Sequence, residues 1–344
     1  MLNRRKEIVA SLLPSDSHTI DDPATAFAPV NIALVKYWGK RDEALHLPVT
    51  DSFSVALSVG TTTTISKGDH QDIVELNGAR VPNSSPFFQR LSQFLDLFRP
   101  SPSFRFHVVT HNDIPTAAGL ASSSSGFAAL CLALNHFFQW NLPPESLSCL
   151  ARLGSGSACR SIYPGFVLWQ KGSRDDGKDS YAIPSPFSWP DLRFGILMAS
   201  SSEKPISSSH AMKLTRETSP LYSLWPQVVE HDLKELLESL ETKEFSRFGT
   251  ALERNALTMH ATMHTSTPPI CYWLEETVRY LHTVWDARAQ NIPVYATMDA
   301  GPNVKIFFLA SDEIQVRALF PQMIEVPLYT HPTSEIETTG VIIQ

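Results

Sequence analysis

The chain has 344 residues, 43% of them hydrophobic and 18% charged, enough for a large core and about two domains. Its formal net charge of −7 argues against a broad nucleic-acid surface, which is ordinarily basic, yet leaves room for a local cationic cleft. No run approaches the ~18–20 continuous apolar residues of a membrane span, and the positive start MLNRRKEIVASLLPSD lacks a signal peptide's apolar stretch; a soluble cytoplasmic protein with no membrane partner is expected.

In chain order, residues 1–20 read as a polar leader, at most a short helix outside the core. Phe27 to Val35, Ser54 to Ile65 and Asp72 to Leu76 are strand-like, the last ended by the turn signal Asn77-Gly78. Pro86 to Phe98 has helical spacing, with Phe88, Leu91, Phe94, Leu95 and Phe98 on one face, and Phe104 to Thr110 alternates as a strand. A helix begins at or just before Ser122 to Ser125 and runs to Phe138; a shorter one covers 145–153, and Gly154 to Ser161 is a small-residue loop. Strands follow at 165–171, 180–183 and 193–199. The second half turns helical over 219–240, 243–264 and about 274–290. Strands near 293–298 and 303–309, a helix near 311–321 and two short terminal strands close the chain. Strands and helices mix without a βαβ repeat, so the fold class is α+β. The boundary falls near 185–195, giving domains of 21–190 and 191–344. Cys131, Cys149, Cys159 and Cys271 lack CxxC spacing and read as free buried thiols.

Four segments carry chemistry. Pro115 to Gly126 (PTAAGLASSSSG) joins a glycine turn to four serines at a helix start. Backbone N–H groups and the helix dipole there suit a phosphate, and serine hydroxyls add donors and ligands for Mg²⁺. One serine would serve as an N-cap, so four exceed a capping role; neither GxxxxGK[ST] nor GxGxxG is present. Lys36 sits between Val35 and Tyr37 in an apolar run, where a lysine must reach a charged partner or shift its pKa. Gly154 to Ser161 alternates glycine and serine before Arg160, whose fork can grip a carboxylate or phosphate. Asp299 lies among small residues between two strands, where Asp-x-Gly serves as a turn or places a catalytic acid. His260 and His264 are four apart, but no HExxH glutamate or third ligand accompanies them, so buried histidines are expected rather than zinc. The charged 230–244 stretch reads as a solvated helix face.

Together, VNIALVKYWGKRD, PTAAGLASSSSGFAAL, GSGSACRSIYPGFVLWQKG, SSSHAMKLTRETS and MDAGPNVKIF resemble the GHMP small-molecule kinase superfamily, and within it the mevalonate diphosphate decarboxylase family. The resemblance runs from about Ala28 to Phe308. It implies an N-terminal ribosomal-S5-like half and a C-terminal ferredoxin-like half around a cleft, and a homodimer that binds no nucleic acid. The implied reaction phosphorylates a hydroxy acid with ATP and Mg²⁺, then expels phosphate and CO₂. Asp299, Lys36 and Arg160 would be catalytic. Tyr37, Trp38, Gly39, Lys40, Ser155, Gly156, Ser157, Ala158, Cys159, Arg160, Ser208, Ser209 and Met212 would surround the substrate. Pro115, Gly119, Leu120, Ala121, Ser122, Ser123 and Ser124 would hold the nucleotide, with Ser122 and Ser123 on the metal. The sequence departs from the family at Pro164, usually glycine, and at Ser209, often threonine or arginine. Where many relatives place a substrate-contacting arginine, 84–89 hold none, and Arg90 is nearest. Alternatives are a monophosphate decarboxylase, a mevalonate 3-kinase and a catalytically silent metabolite sensor.

Overall fold

The computed structural model describes residues 2–15, 22–113, 122–202 and 204–329. β1 (Ala24–Val35) and the long β4 (Ser52–Gly68) form the spine of the N-terminal half. They pair antiparallel from Ala24↔Ile65 to Val35↔Phe53, with irregularities at Pro29/Asn31 and Ala33/Val35. Such bulges bend a strand and re-aim its side chains, and these two bracket Asn31 and deliver the chain to Lys36. The far half of β4 pairs with β7 (Arg105–Asn112) and its near half with β8 (Phe166–Trp169). β5 (Ile73–Leu76), β6 (Ala79–Arg80) and β9 (Ala182–Pro184) complete a seven-stranded sheet ordered β6-β5-β7-β4-β8-β9, with β1 also on β4. β2 (Lys40–Asp42) and β3 (Leu47–Pro48) form a small ribbon, too short to leave a periodic signal.

α3 (Ser122–Phe137) packs on β1 and β4 through an almost wholly apolar run, flanked by α2 (Pro86–Leu95) and α4 (Pro144–Gly154). Two expectations for this half need correction. α1 (Leu2–Leu12) is not outside the core: Ile8 and Val9 are each 3% exposed in the same apolar cluster as α3. Arg5 Nε also donates to the Ala44 carbonyl at 2.6 Å. Its polar composition hid one buried stripe. Residues 156–162 are not an irregular loop but a 3₁₀ helix, Gly156–Ile162.

The C-terminal half is a four-stranded sheet, β11-β12-β10-β13, from β10 (Leu192–Leu197), β11 (Val294–Thr297), β12 (Val304–Leu309) and β13 (Ile324–Glu325). α7 (Phe245–His264) and α8 (Glu275–Ala289) pack on it, α6 (Trp225–Thr242) packs on α7 and touches β1 and β4 of the first half, and α9 (Glu313–Leu319) follows β12. α5 (Ser208–Thr218) is a helix the sequence pattern did not disclose. It buries only Ala211, Met212 and Thr215, so its apolar signal is thin, and the Ser207 hydroxyl caps it by accepting from His210 N–H at 3.3 Å. The mixed α+β expectation holds. Of the two terminal strands expected, β13 is one; residues 330–344 lie outside the described residues.

The two halves share a core. Val30, Ile32, Phe53 and Val55 from the first sheet join Phe194, Trp225, Phe248 and Phe307 from the second in one buried cluster. Returning chain stitches the seam: Ser58 N–H donates to Pro327 O and Tyr329 N–H to Ala56 O, both at 2.9 Å. Asp232 corrects the solvated-face reading of 230–244. It is fully buried, accepting from Arg254 Nε at 2.7 Å and Asn255 Nδ2 at 2.9 Å. Cys131, Cys149 and Cys159 are buried free thiols as expected, whereas Cys271 is exposed. Among the described residues, no helix is long and apolar enough to cross a membrane.

Phe248 is fully buried against the rings of Trp189, Phe245 and Phe307. Phe248→Ala should destabilise the fold by about 3–5 kcal/mol, read as a lower urea midpoint at unchanged slope. Phe87→Ala, at a residue 44% exposed, should stay within about 0.5 kcal/mol.

Candidate active site

The site forms where the end of β1, the 3₁₀ helix and the β11–β12 loop meet. A cleft of about 120 Å³ opens there, lined by Asn31 of β1 and Lys36, Tyr37 and Trp38 just beyond it, by Ser124, Ser157 and Arg160, and by Lys204, Ser208, Met212 and Asp299 from the second half.

Asp299 is its electrostatic centre. Lys36 Nζ donates to Oδ1 at 3.0 Å and Lys305 Nζ to Oδ2 at 2.8 Å. Both lysines are almost fully buried, and the Asp299 side chain keeps 30% exposure toward the cleft. Burial alone would raise this carboxyl, but Lys305 and Lys36 outweigh it and hold the acid well below the usual carboxylate range. Lys36 is pulled the other way. Burial lowers its ammonium to about 8, with Lys305 and Arg160 adding to the fall and Asp299 opposing it.

Lys36 is fixed from both sides. Its Nζ donates to Ala33 O at 2.8 Å, and its backbone N–H donates to Asn255 Oδ1 of α7, also at 2.8 Å. Asn255 is held in turn by buried Asp232, so an amide in the second half positions a strand end in the first. His260, fully buried on α7, lies 3.1 Å through Nε2 from the Asp299 carbonyl. A carbonyl only accepts, so Nε2 carries the proton. Burial lowers this ring to about 3, with His264 adding to the fall, so it is a neutral strut for the Asp299 backbone. Asn303 closes the loop: its Oδ1 accepts from the N–H groups of Ala199 and Ser200 at 2.8 and 3.0 Å.

Arg160 is 3% exposed. Its guanidinium donates to Asn31 Oδ1 at 3.2 Å and to Ser52 Oγ, and lies over the Trp169 ring. No carboxylate pairs with it among the described residues. A buried, unpaired guanidinium facing a cleft is costly without an anion to receive. With Lys36, Lys305 and Lys204 nearby, four cations surround one carboxylate. The net charge of −7 therefore conceals a strongly positive pocket.

The other expected residues divide. Tyr37, Trp38, Ser124, Ser157, Ser208 and Met212 line the cleft. Gly39, Lys40, Ser155, Gly156, Ala158, Cys159 and Ser209 are not among its lining residues. Gly39 has φ +115°, and a Cβ there would lie 1.7 Å from the Tyr222 hydroxyl, so no other residue fits. That hydroxyl donates to Trp38 O at 3.0 Å. Lys40 binds Glu43 and Ser209 at 2.8 and 2.6 Å. Ala158 and Cys159 are fully buried, Cys159 in an apolar cluster with Tyr163 and Trp169. Arg90 does not reach the cleft: it donates to Gly154 O at 2.9 Å and lies over the Phe127 ring. Pro115, Gly119, Leu120 and Ala121 lie outside the described residues, as does the Ser122 side chain. Ser123 Oγ sits 3.5 Å from Ser155 Oγ, and Ser124 hydrogen-bonds Ser157, so the serine run meets the glycine-serine segment.

Sequence reading missed Lys305, Lys204 and Asn255; it expected His260 to be buried, as it is, but not its bond to the Asp299 carbonyl. Lys305 carried the signal that marked Lys36, a lysine inside an apolar strand (VKIFF). Asn255 carried none, because polar positions on an amphipathic helix ordinarily face water.

Comparison with known proteins shows the family. The diphosphomevalonate decarboxylase-like N-terminal domain matches residues 28–182, and the mevalonate 5-diphosphate decarboxylase C-terminal domain matches 195–339. The diphosphomevalonate decarboxylase of Candida albicans is 36% identical over 338 residues, covering 92% of this chain and 93% of the relative. The Homo sapiens enzyme is 40% identical over 308 residues, covering 83% and 76%. The crystal structure of mevalonate diphosphate decarboxylase from Staphylococcus aureus superposes with a TM-score of 0.84 at 38% identity, covering 89% of this chain and 95% of that one. A structure of MDDEF in complex with MVAPP, AMPPCP and magnesium gives 0.83 at 38% identity, covering 89% and 96%. With both halves matched and the cationic cleft between them, the chain belongs to the diphosphomevalonate decarboxylase family.

Proposed function

We propose that the protein decarboxylates (R)-5-diphosphomevalonate at the expense of ATP, yielding isopentenyl diphosphate, ADP, phosphate and CO₂ in the mevalonate route to isoprenoids. The observation that carries this reading is the pairing of two unlike groups on one cleft: an ionised carboxylate, Asp299, and a buried guanidinium with no carboxylate partner among the described residues, Arg160.

Asp299 accepts the hydrogen bond of the C3 hydroxyl and aims its oxygen at the γ-phosphorus of ATP. So acidic a carboxylate is a poor base toward a free alcohol. It takes the proton late, once the oxygen has begun to bond phosphorus and has itself become acidic. The new P–O bond forms as the bond to the ADP leaving group breaks. Lys36 balances charge beside the transferred group. Arg160 holds the substrate carboxylate in its planar fork. When the C3–O bond breaks, phosphate leaves with the bonding pair. The C–CO₂⁻ bond then supplies electrons to the electron-poor C3, closing the double bond and releasing CO₂.

The serine run supplies hard oxygen donors and no thiolate or imidazole, a set that suits Mg²⁺. Ser122 and Ser123 would contribute hydroxyls, with Pro115, Gly119, Leu120, Ala121 and Ser124 around the nucleotide. When bound, the ion neutralises phosphate charge. Tyr37, Trp38, Ser157, Ser208 and Met212 contact the substrate; Gly39, Lys40, Ser155, Gly156, Ala158, Cys159 and Ser209 shape its pocket from behind. Residues 21–190 form the nucleotide-binding domain and 191–344 the domain bearing Asp299. The working form is a cytoplasmic homodimer.

Purified protein given ATP, Mg²⁺ and, separately, mevalonate, its 5-phosphate or its 5-diphosphate should release ADP, phosphate and CO₂ in equal amounts from the diphosphate. ADP without CO₂ would make it a 3-kinase, and CO₂ from the monophosphate alone would move the substrate. Asp299→Asn should lower turnover by about a thousandfold or more, while nucleotide affinity changes less than about threefold. Equilibrium binding of a fluorescent ATP analogue checks the second half. Normal turnover in that variant would remove Asp299 from the mechanism.

A further inference from the structure

Neutralising Asp299 needs one ammonium, and Lys36 supplies it. Lys305 is a second, 1% exposed, and its one hydrogen bond among the described residues goes to Asp299 Oδ2 at 2.8 Å. It stands on β12 opposite Thr297 of β11 and is absent from the cleft lining. Taking a lysine out of water costs several kcal/mol, and a single carboxylate shared between two ammoniums leaves one charge over. As a structural ion pair the arrangement is wasteful. As a device for holding a carboxylate it is economical: one cation on each oxygen fixes the plane of the group and leaves the remaining lone pairs toward the cleft.

We propose that Lys305 is a positioning residue of the decarboxylation, acting through Asp299 and Lys36 without touching substrate, by locking the carboxylate plane and biasing the charge state of the Asp299–Lys36 pair. The proposal rests on the reaction proposed above. The groups facing this cluster are Asp299 from the β11–β12 loop, Lys36 from the end of β1, Arg160 from the 3₁₀ helix, Lys204 from the chain before α5 and neutral His260 from α7. Lys36 is pushed down by burial first and by Lys305 and Arg160 next, against the upward pull of Asp299. The signs follow: Lys36 is charged below about 8 and neutral above. Removing the Lys305 charge raises that point, because a like charge has gone. The Asp299 carboxyl also rises when it loses one of its two cations.

The test compares wild type with Lys305→Met, near in volume and uncharged, and Lys305→Gln, which keeps a donor but no charge. Stoichiometric ADP and CO₂ from the wild type establishes the reaction; without it this proposal falls together with the reaction. Given it, both variants should lose about 10–100-fold in kcat with KM values for ATP and the hydroxy acid within about threefold. The alkaline limb of kcat/KM, set by loss of the Lys36 proton, should lie at higher pH in both variants than in the wild type. A fall in Tm with unchanged kcat and an unmoved alkaline limb would reduce Lys305 to a structural cation and overturn the proposal. Should neither variant fold, Lys305→Arg, which keeps the charge but shifts the donor on Asp299, decides: kcat should fall at least about fivefold with KM unchanged, and an unchanged kcat would overturn the proposal.

Discussion

A carboxylate held between two buried ammoniums is the constraint on which the site depends. Each lysine would be untenable in its apolar surroundings without Asp299, and Asp299 would be driven toward its neutral form without them. The three groups come from separate places: the end of β1, the β11–β12 loop and β12 itself. The interaction therefore requires the two halves to meet at a defined distance. The shared core enforces that distance, with Val30 and Phe53 from one sheet packed in the cluster that holds Phe248 and Phe307 from the other. The Asn255 bond to the Lys36 backbone sets it more finely. Packing brings the strands together; polar contacts then aim the side chains.

Excess positive charge follows from the same constraint. Once Asp299 is satisfied by two lysines, Arg160 and Lys204 remain for anions arriving from solution. A substrate carrying a carboxylate and a diphosphate, with a nucleotide beside it, is a ligand of the complementary sign. Ionic attraction is strongest where water is excluded, and Lys36, Arg160 and Lys305 are all nearly inaccessible. The acidic exterior and cationic cleft are compatible because overall charge governs solubility while local charge governs recognition.

Much of this was legible in the residues. The mixed class, most long helices and the strands bearing Lys36 and Asp299 follow from periodicity and turn chemistry. Lys36 announced itself as a cation in an apolar run. Arg160 did so as the single charge after a glycine-serine alternation. Asp299 was weaker, since Asp-x-Gly is ordinarily a turn. α5 was invisible because it buries three residues in eleven. The docking of α1 was hidden because Ile8 and Val9 are the fully buried apolar residues of an otherwise polar helix. Asn255 and His260 could not be read from spacing, because their roles are hydrogen bonds to backbone atoms far along the chain. Local pattern encodes faces and periods, not which distant carbonyl a helix residue will meet.

The bond from Lys36 to Asp299 spans 263 residues, and that distance has a consequence during synthesis. Lys36 is made early, within a strand whose partners in β4 follow closely. For most of translation its ammonium sits at the edge of an apolar sheet with no counterion. At roughly 5–20 residues per second, tens of seconds pass before Asp299 and Lys305 emerge. A chain halted before the β11–β12 loop thus carries Lys36 without its carboxylate and a sheet face without its cover, exposed apolar surface of the kind that chaperones and proteases act on. The same lysine that serves the chemistry makes the early half of the chain dependent on its last strands.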